Sequence, residues 1–175
     1  TNFIFLQNKF TPVENSLQLM HTYKNGISKY VAFLDDYAYL IAALLQLYKT
    51  SLSENYLLKA FDYCSYVIEN FSDEESCFFY FTHQDQKDVI VRKKEIYDGA
   101  TPSGNSVMAE NLLQLAIIFD NAQWRDRANQ MIKIISNSTL KYPGSFGIWA
   151  SLLLYQVMGV NEIVVIGSNY ATISN

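Results

Sequence analysis

The sequence is poor in charge, in cysteine and in histidine. Asp, Glu, Lys and Arg make up 17% of the 175 residues, below the usual quarter of a globular chain. Lys and Arg number 13 against 17 Asp and Glu, a net charge of -4. That balance disfavours a nucleic-acid binder, which needs a basic stripe to neutralise phosphates. The one basic cluster, Arg92-Lys93-Lys94 beside Glu95, reads as a solvated strand edge. No uncharged apolar stretch reaches the ~18 residues of a membrane span. The best candidate, Phe146 to Val160, is short and interrupted by Gly147, Ser151 and Gln156. The first residues are apolar but carry neither a basic region nor a small-residue cleavage site, so they do not read as a signal peptide. Cys64 and Cys77 form no CxxC pair and have no accompanying ligand cluster. They read as buried or half-buried thiols in a reducing, cytoplasmic compartment, with no metal or cofactor.

What is abundant is apolar surface. Half of the chain is hydrophobic and 15% is aromatic, which rules out intrinsic disorder. Residues 1–8 read as the end of a helix, 17–23 as a short strand, and Lys24-Asn25-Gly26 as a turn. The segment 34–50 predicts a helix with Asp35 and Asp36 in its capping turn and apolar residues nearly all round. Ser53 caps a second, amphipathic helix that runs to about Asn70. The period then changes to two over Phe78–Thr82 and Val89–Arg92, which predicts an inserted β-hairpin. A third helix over 105–119 has little polar face, a fourth over 123–136 is amphipathic, and a fifth over 146–158 has no charged residue. The run 162–167 reads as a buried terminal strand.

The alternation of apolar and amphipathic helices carries more than any single one. Leu44-Leu45-Gln46-Leu47 recurs as Leu112-Leu113-Gln114-Leu115, an offset of 68 residues. The same offset pairs Tyr56 with Trp124, Lys59 with Arg127, Ala60 with Ala128 and Val67 with Ile135. Two helical hairpins, 34–70 and 105–136, thus repeat in register. Buried inner helices alternating with half-exposed outer ones predict a mainly α fold, part of an (α/α)6 toroid with an inserted β-hairpin. All 175 residues would belong to one such domain, and the surplus apolar surface would be covered by missing neighbours or by self-association.

In a toroid the N-terminal ends of the inner helices share one face. Here they carry Asp35, Asp36 and Tyr37, then the loop from Asp98 to Asn105, then Tyr142 to Trp149. Paired acids can serve as general acid and base, and aromatic rings can stack on sugars. The candidate catalytic residues are Asp36, Asp98 and Glu95. The candidate substrate contacts are Asp35, Tyr37, Tyr97, Thr101, Ser103, Asn105 and His21. The competing reading is plain capping by Asp35, Asp36 and Ser103, with Gly99 and Gly104 giving backbone freedom. No Lys follows Gly104, so the loop is not a P-loop, and Ser103 lacks a G-x-S-x-G setting.

Three stretches are similar to a known family. They are the run Lys94 to Ser106, the run His21-Thr22-Tyr23-Lys24-Asn25-Gly26, and Phe33 to Leu40. They resemble the thioredoxin-domain-containing proteins of the YyaL and spermatogenesis-associated type. The resemblance implies a longer parent with an N-terminal thioredoxin-like domain as this chain's partner. It also implies a toroid similar to N-acylglucosamine 2-epimerases and six-hairpin glycosidases. The epimerases use histidines on inner helices, and no inner helix here carries one. Two functions follow as expectations. One is carbohydrate binding or carboxylate acid/base catalysis at the inner-helix face. The other is a non-catalytic module that binds a ligand or partner.

Overall fold

The computed structural model describes residues 2–11, 13, 16–86 and 89–163. A short helix α1 (Asn2–Phe10) leads to an antiparallel hairpin, β1 (Met20–Lys24) and β2 (Ile27–Val31). Five longer helices follow: α2 (Leu34–Ser51), α3 (Glu54–Phe71), α4 (Gly104–Ile118), α5 (Ala122–Lys141) and α6 (Gly147–Met158). The chain is mainly helical, with one small two-stranded sheet among the described residues.

The turn expected at Lys24-Asn25-Gly26 forms, and the strand expected over 17–23 runs from Met20 to Lys24. Asn25 and Gly26 both have positive φ, 52° and 82°. Two such central residues make the turn whose twist matches paired strands. Lys24 pairs with Ile27 and Met20 with Val31. Tyr30 takes a left-handed φ of 62°, a conformation that costs a bulky residue about 1 kcal/mol or more.

The expected strands 78–82 and 89–92 do not form. Among the described residues, only an isolated bridge, Ser72 with Phe79, occurs there. Phe78 and Phe79 are both buried instead of alternating. Their backbone groups are claimed from outside a ladder. The Asn105 side chain bonds both the amide and the carbonyl of Phe79. Arg127 donates to the carbonyls of Cys77 and Phe78 and to Ser72 Oγ, and lies 3.8 Å over the Phe79 ring. The Leu34 amide donates to the Phe81 carbonyl. The expected terminal strand 162–167 falls largely outside the described residues, and 161–163 have no regular structure.

The helices obey the repeat. Helix α4 packs against α2, α5 and α6, and α2 packs against α3. Leu44 and its equivalent Leu112 are fully buried, as are Ala60 and Ala128. Ser53 and Asn121, also 68 residues apart, are the N-cap residues of α3 and α5; the Asn121 side chain accepts from the Trp124 amide. A hydrogen bond from Asn111 Nδ2 to the Ala38 carbonyl (2.9 Å) joins α4 to α2. Helix α6 departs from the expected pattern. Trp149 and Leu152 are buried, but Leu154, Tyr155, Val157 and Met158 are exposed. Its uniform apolarity is therefore matched on one face only among the described residues.

Candidate functional site

The sequence-predicted residues divide into two groups with different surroundings. The first surrounds the N-terminus of α2. The Asp36 carboxylate accepts from the Phe33 amide at 2.8 Å, which caps the helix, and pairs through the same Oδ2 with His21 Nδ1 at 2.8 Å. Helix α2 thus begins with an acid where the orphan amides favour one. The His21 ring packs edge-on against Phe33, 4.8 Å between centroids, and Phe33 stacks on Phe81. Both members of the pair remain partly exposed, His21 at 41% and Asp36 at 31% of their side chains.

His21, Asp35, Asp36 and Tyr39 line a cleft of about 350 Å³. Its other wall is apolar, formed by Leu6, Phe10, Leu19 and Leu40. Tyr39 was absent from the sequence-based set. It reaches across to donate to the Pro102 carbonyl at 2.7 Å. Its signal in the sequence was only its place one turn beyond Asp36. Asp35 Oδ1 is buried without a hydrogen-bond partner. Burial pushes the Asp35 carboxyl above its ordinary value, the Gly104 backbone opposes this, and the charges of Asp36 and Glu95 add to it.

The second group surrounds the N-termini of α4 and α6, and there the polar groups are consumed by the fold. Asp98 is 7% exposed. Its Oδ1 accepts from the Ser103 amide, Ser103 Oγ and Ser106 Oγ, and its Oδ2 accepts from the Ile148 amide at 2.9 Å. One carboxylate thereby caps α6 while holding the first turn of α4. Ser103 is the N-cap of α4, with its Oγ accepting from the Ser106 amide. Asn105 is fully buried, its amide spent on Phe79 and on the Glu95 carbonyl. Asp98 and Asn105 are therefore not available for acid/base work or ligand contact without loss of these bonds.

The remaining candidates are placed as follows. Asp36, Glu95, Asp98 and Asn105 do not line one cleft: only Asp36 does, and Glu95 stands exposed outside it. Tyr37 is fully buried, its hydroxyl accepting from the Leu19 amide and donating to the Leu17 carbonyl, and its ring stacks on Tyr66. Tyr97 and Thr101 are exposed but lie outside the cleft, with Tyr97 against Phe146.

Gly104 explains how the two groups approach one another. A Cβ there would overlap Asp35 Oδ1 and sit 3.0 Å from Leu34 Cγ. Glycine lets the start of α4 close on the start of α2. Among the described residues, no three His, Cys, Asp or Glu side chains group as metal ligands, and no helix is long and apolar enough to cross a membrane.

The chain is 32% identical over 144 residues to an uncharacterised protein of Caenorhabditis elegans, covering 82% of this chain and 20% of that protein. It is 29% identical over 140 residues to spermatogenesis-associated protein 20 of Rattus norvegicus, covering 79% and 18%. The human protein of that name is 28% identical over the same length. The chain spans about a fifth of the length of these curated relatives. No family model matches it.

Proposed function

We propose that this chain is part of an α/α toroid of the spermatogenesis-associated protein 20 type, and that the cleft at the start of α2 binds a sugar or similar polyol. The observation that carries the reading is the composition of the cleft. Asp35, Asp36, His21 and Tyr39 face an apolar wall of Leu6, Phe10, Leu19 and Leu40. A sugar ring offers hydroxyls to the first set and C–H faces to the second. The side-by-side packing of α2, α4 and α6, with α3 and α5 returning, supports the toroid. Carboxylate chemistry, if the site turns over, falls to Asp36 and Asp35, because Asp98 is saturated.

The test is ligand-observed NMR with a panel of neutral mono- and disaccharides. Binding that Asp36→Asn or Tyr39→Phe weakens, with folding intact, is the expected result. Equal binding by wild type and both variants, or none by the wild type, overturns the reading.

A specific observation favours the non-catalytic alternative. Val157 and Met158 on α6 are 81% and 76% exposed, and Leu152 and Tyr155 of the same helix line a groove of about 430 Å³ with Leu113 and Ile117. In that reading the face receives another part of the parent protein, such as its thioredoxin-like domain, or a second copy. Loss of self-association or of domain docking in a Val157→Asp, Met158→Lys variant is the outcome that would support it.

A further inference from the structure

We infer that His21 is a proton-accepting residue presented to the α2 cleft, with Asp36 as the residue that positions it. The inference rests on the polyol reading of that cleft and adds the group that would act on a ligand hydroxyl.

Two contacts fix the imidazole. Nδ1 lies 2.8 Å from Asp36 Oδ2. A carboxylate accepts only, so Nδ1 carries a proton, and in the neutral imidazole Nε2 carries the lone pair. The carboxylate itself cannot swing away freely, because the same oxygen holds the Phe33 amide. The Phe33 ring, backed by Phe81, fixes the plane of the imidazole. Nε2 has no hydrogen-bond partner among the described residues, and His21 lines the cleft. A ligand hydroxyl reaching Nε2 donates to it. In the proton transfer the O–H bond breaks and an N–H bond forms. The electron pair stays on the oxygen, and the new imidazolium is held across Nδ1–H by Asp36. Returning the proton restores the starting state.

The second histidine supplies the contrast. His83 is buried, its Nδ1 accepting from the Asp85 amide and its Nε2 in contact with the Tyr66 hydroxyl. Both of its nitrogens are used by the fold, so it serves as an internal control.

Two measurements on the 175-residue chain decide the matter. Long-range 1H–15N NMR reads the tautomer of each imidazole without any substitution. His21 is expected protonated at Nδ1 with Nε2 bare; the opposite tautomer overturns the inference. Diethyl pyrocarbonate then probes the free nitrogen. His21 should react well before His83, and Asp36→Asn should slow His21 roughly tenfold while His83 is unchanged. Equal rates in wild type and variant would remove the positioning role of Asp36 and sink the inference. A variant that no longer folds shows itself by exposing His83, and the tautomer measurement then stands alone. Saccharide binding is read separately. If it fails while the tautomer and the reactivity are as stated, the polyol reading falls and the presented imidazole remains.

Discussion

The starts of α2 and α4 occupy equivalent places in the repeat and have been put to opposite uses. At α4, Ser103 caps the helix and Asp98 gathers four donors, leaving the carboxylate 7% exposed. At α2, Asp36 caps the helix with one oxygen and reaches His21 with the same atom, beside open space. A helix terminus needs only part of what an acid can offer. Where the neighbouring chain supplies further donors the acid becomes structural; where it supplies a cleft the remainder is available to a ligand.

The largest test of this contrast is Asp98→Ala. It removes the partner of two amides and two hydroxyls, so a loss of about 3 kcal/mol is expected, read by chemical denaturation. A loss near that of an ordinary surface substitution would mean Asp98 is not the clamp described. Gly104→Ala comes next, at about 2 kcal/mol, because the new methyl meets Leu34 and Asp35. In a double-mutant cycle, Asp35→Ala should recover part of that loss; strict additivity would remove the proposed close approach. Asp36→Asn should cost under ~1 kcal/mol, since the amide oxygen can still cap α2. A loss as large as at Asp98 would erase the distinction between the two ends.

The smallest effect concerns pH. The Asp35 carboxyl is raised above 3.8 in the folded chain. Between its unfolded and folded values the folded state binds more protons, so stability falls as pH rises through that window. Asp35→Asn should therefore be slightly stabilising near neutrality, and the gain should vanish as pH drops below the unfolded value. Thermal melts of both proteins at neutral and acid pH give the comparison; a gain that persists in acid would contradict the burial account.

The helices were legible because their apolar periods are long and their repeat has no gap. Leu44 and Leu112, Ala60 and Ala128 hold the places the offset assigned them. The expected hairpin at 78–92 failed because Phe78 and Phe79 imitate strand composition, whereas the turn read at Lys24-Asn25-Gly26 does form and joins paired strands. The site was legible only as a set of residue types. Nothing in the letters of Asp98 says that Ile148, fifty positions away, will take its second oxygen. Nor does Tyr37 announce that its hydroxyl will be bonded to the backbone at Leu17 and Leu19. Exposure and saturation are properties of the packed chain, and they decide which of several like residues is free to act.

The clamps made by Asn105 and Arg127 have a consequence for the order of events when the chain folds. Among its described residues, the connection between α3 and α4 has no ladder of its own to nucleate on beyond the single Ser72–Phe79 bridge. At Cys77, Phe78 and Phe79 its backbone is held by side chains of α4 and α5, which are in place only after those helices have formed and docked. The connection should therefore be the late arrival, and in the native state the early leaver. Amide exchange at Phe79 is expected to proceed through openings smaller than those that release the centre of α4. Because this same connection supplies Phe81 behind Phe33 and His21, the imidazole would acquire its fixed plane last of all.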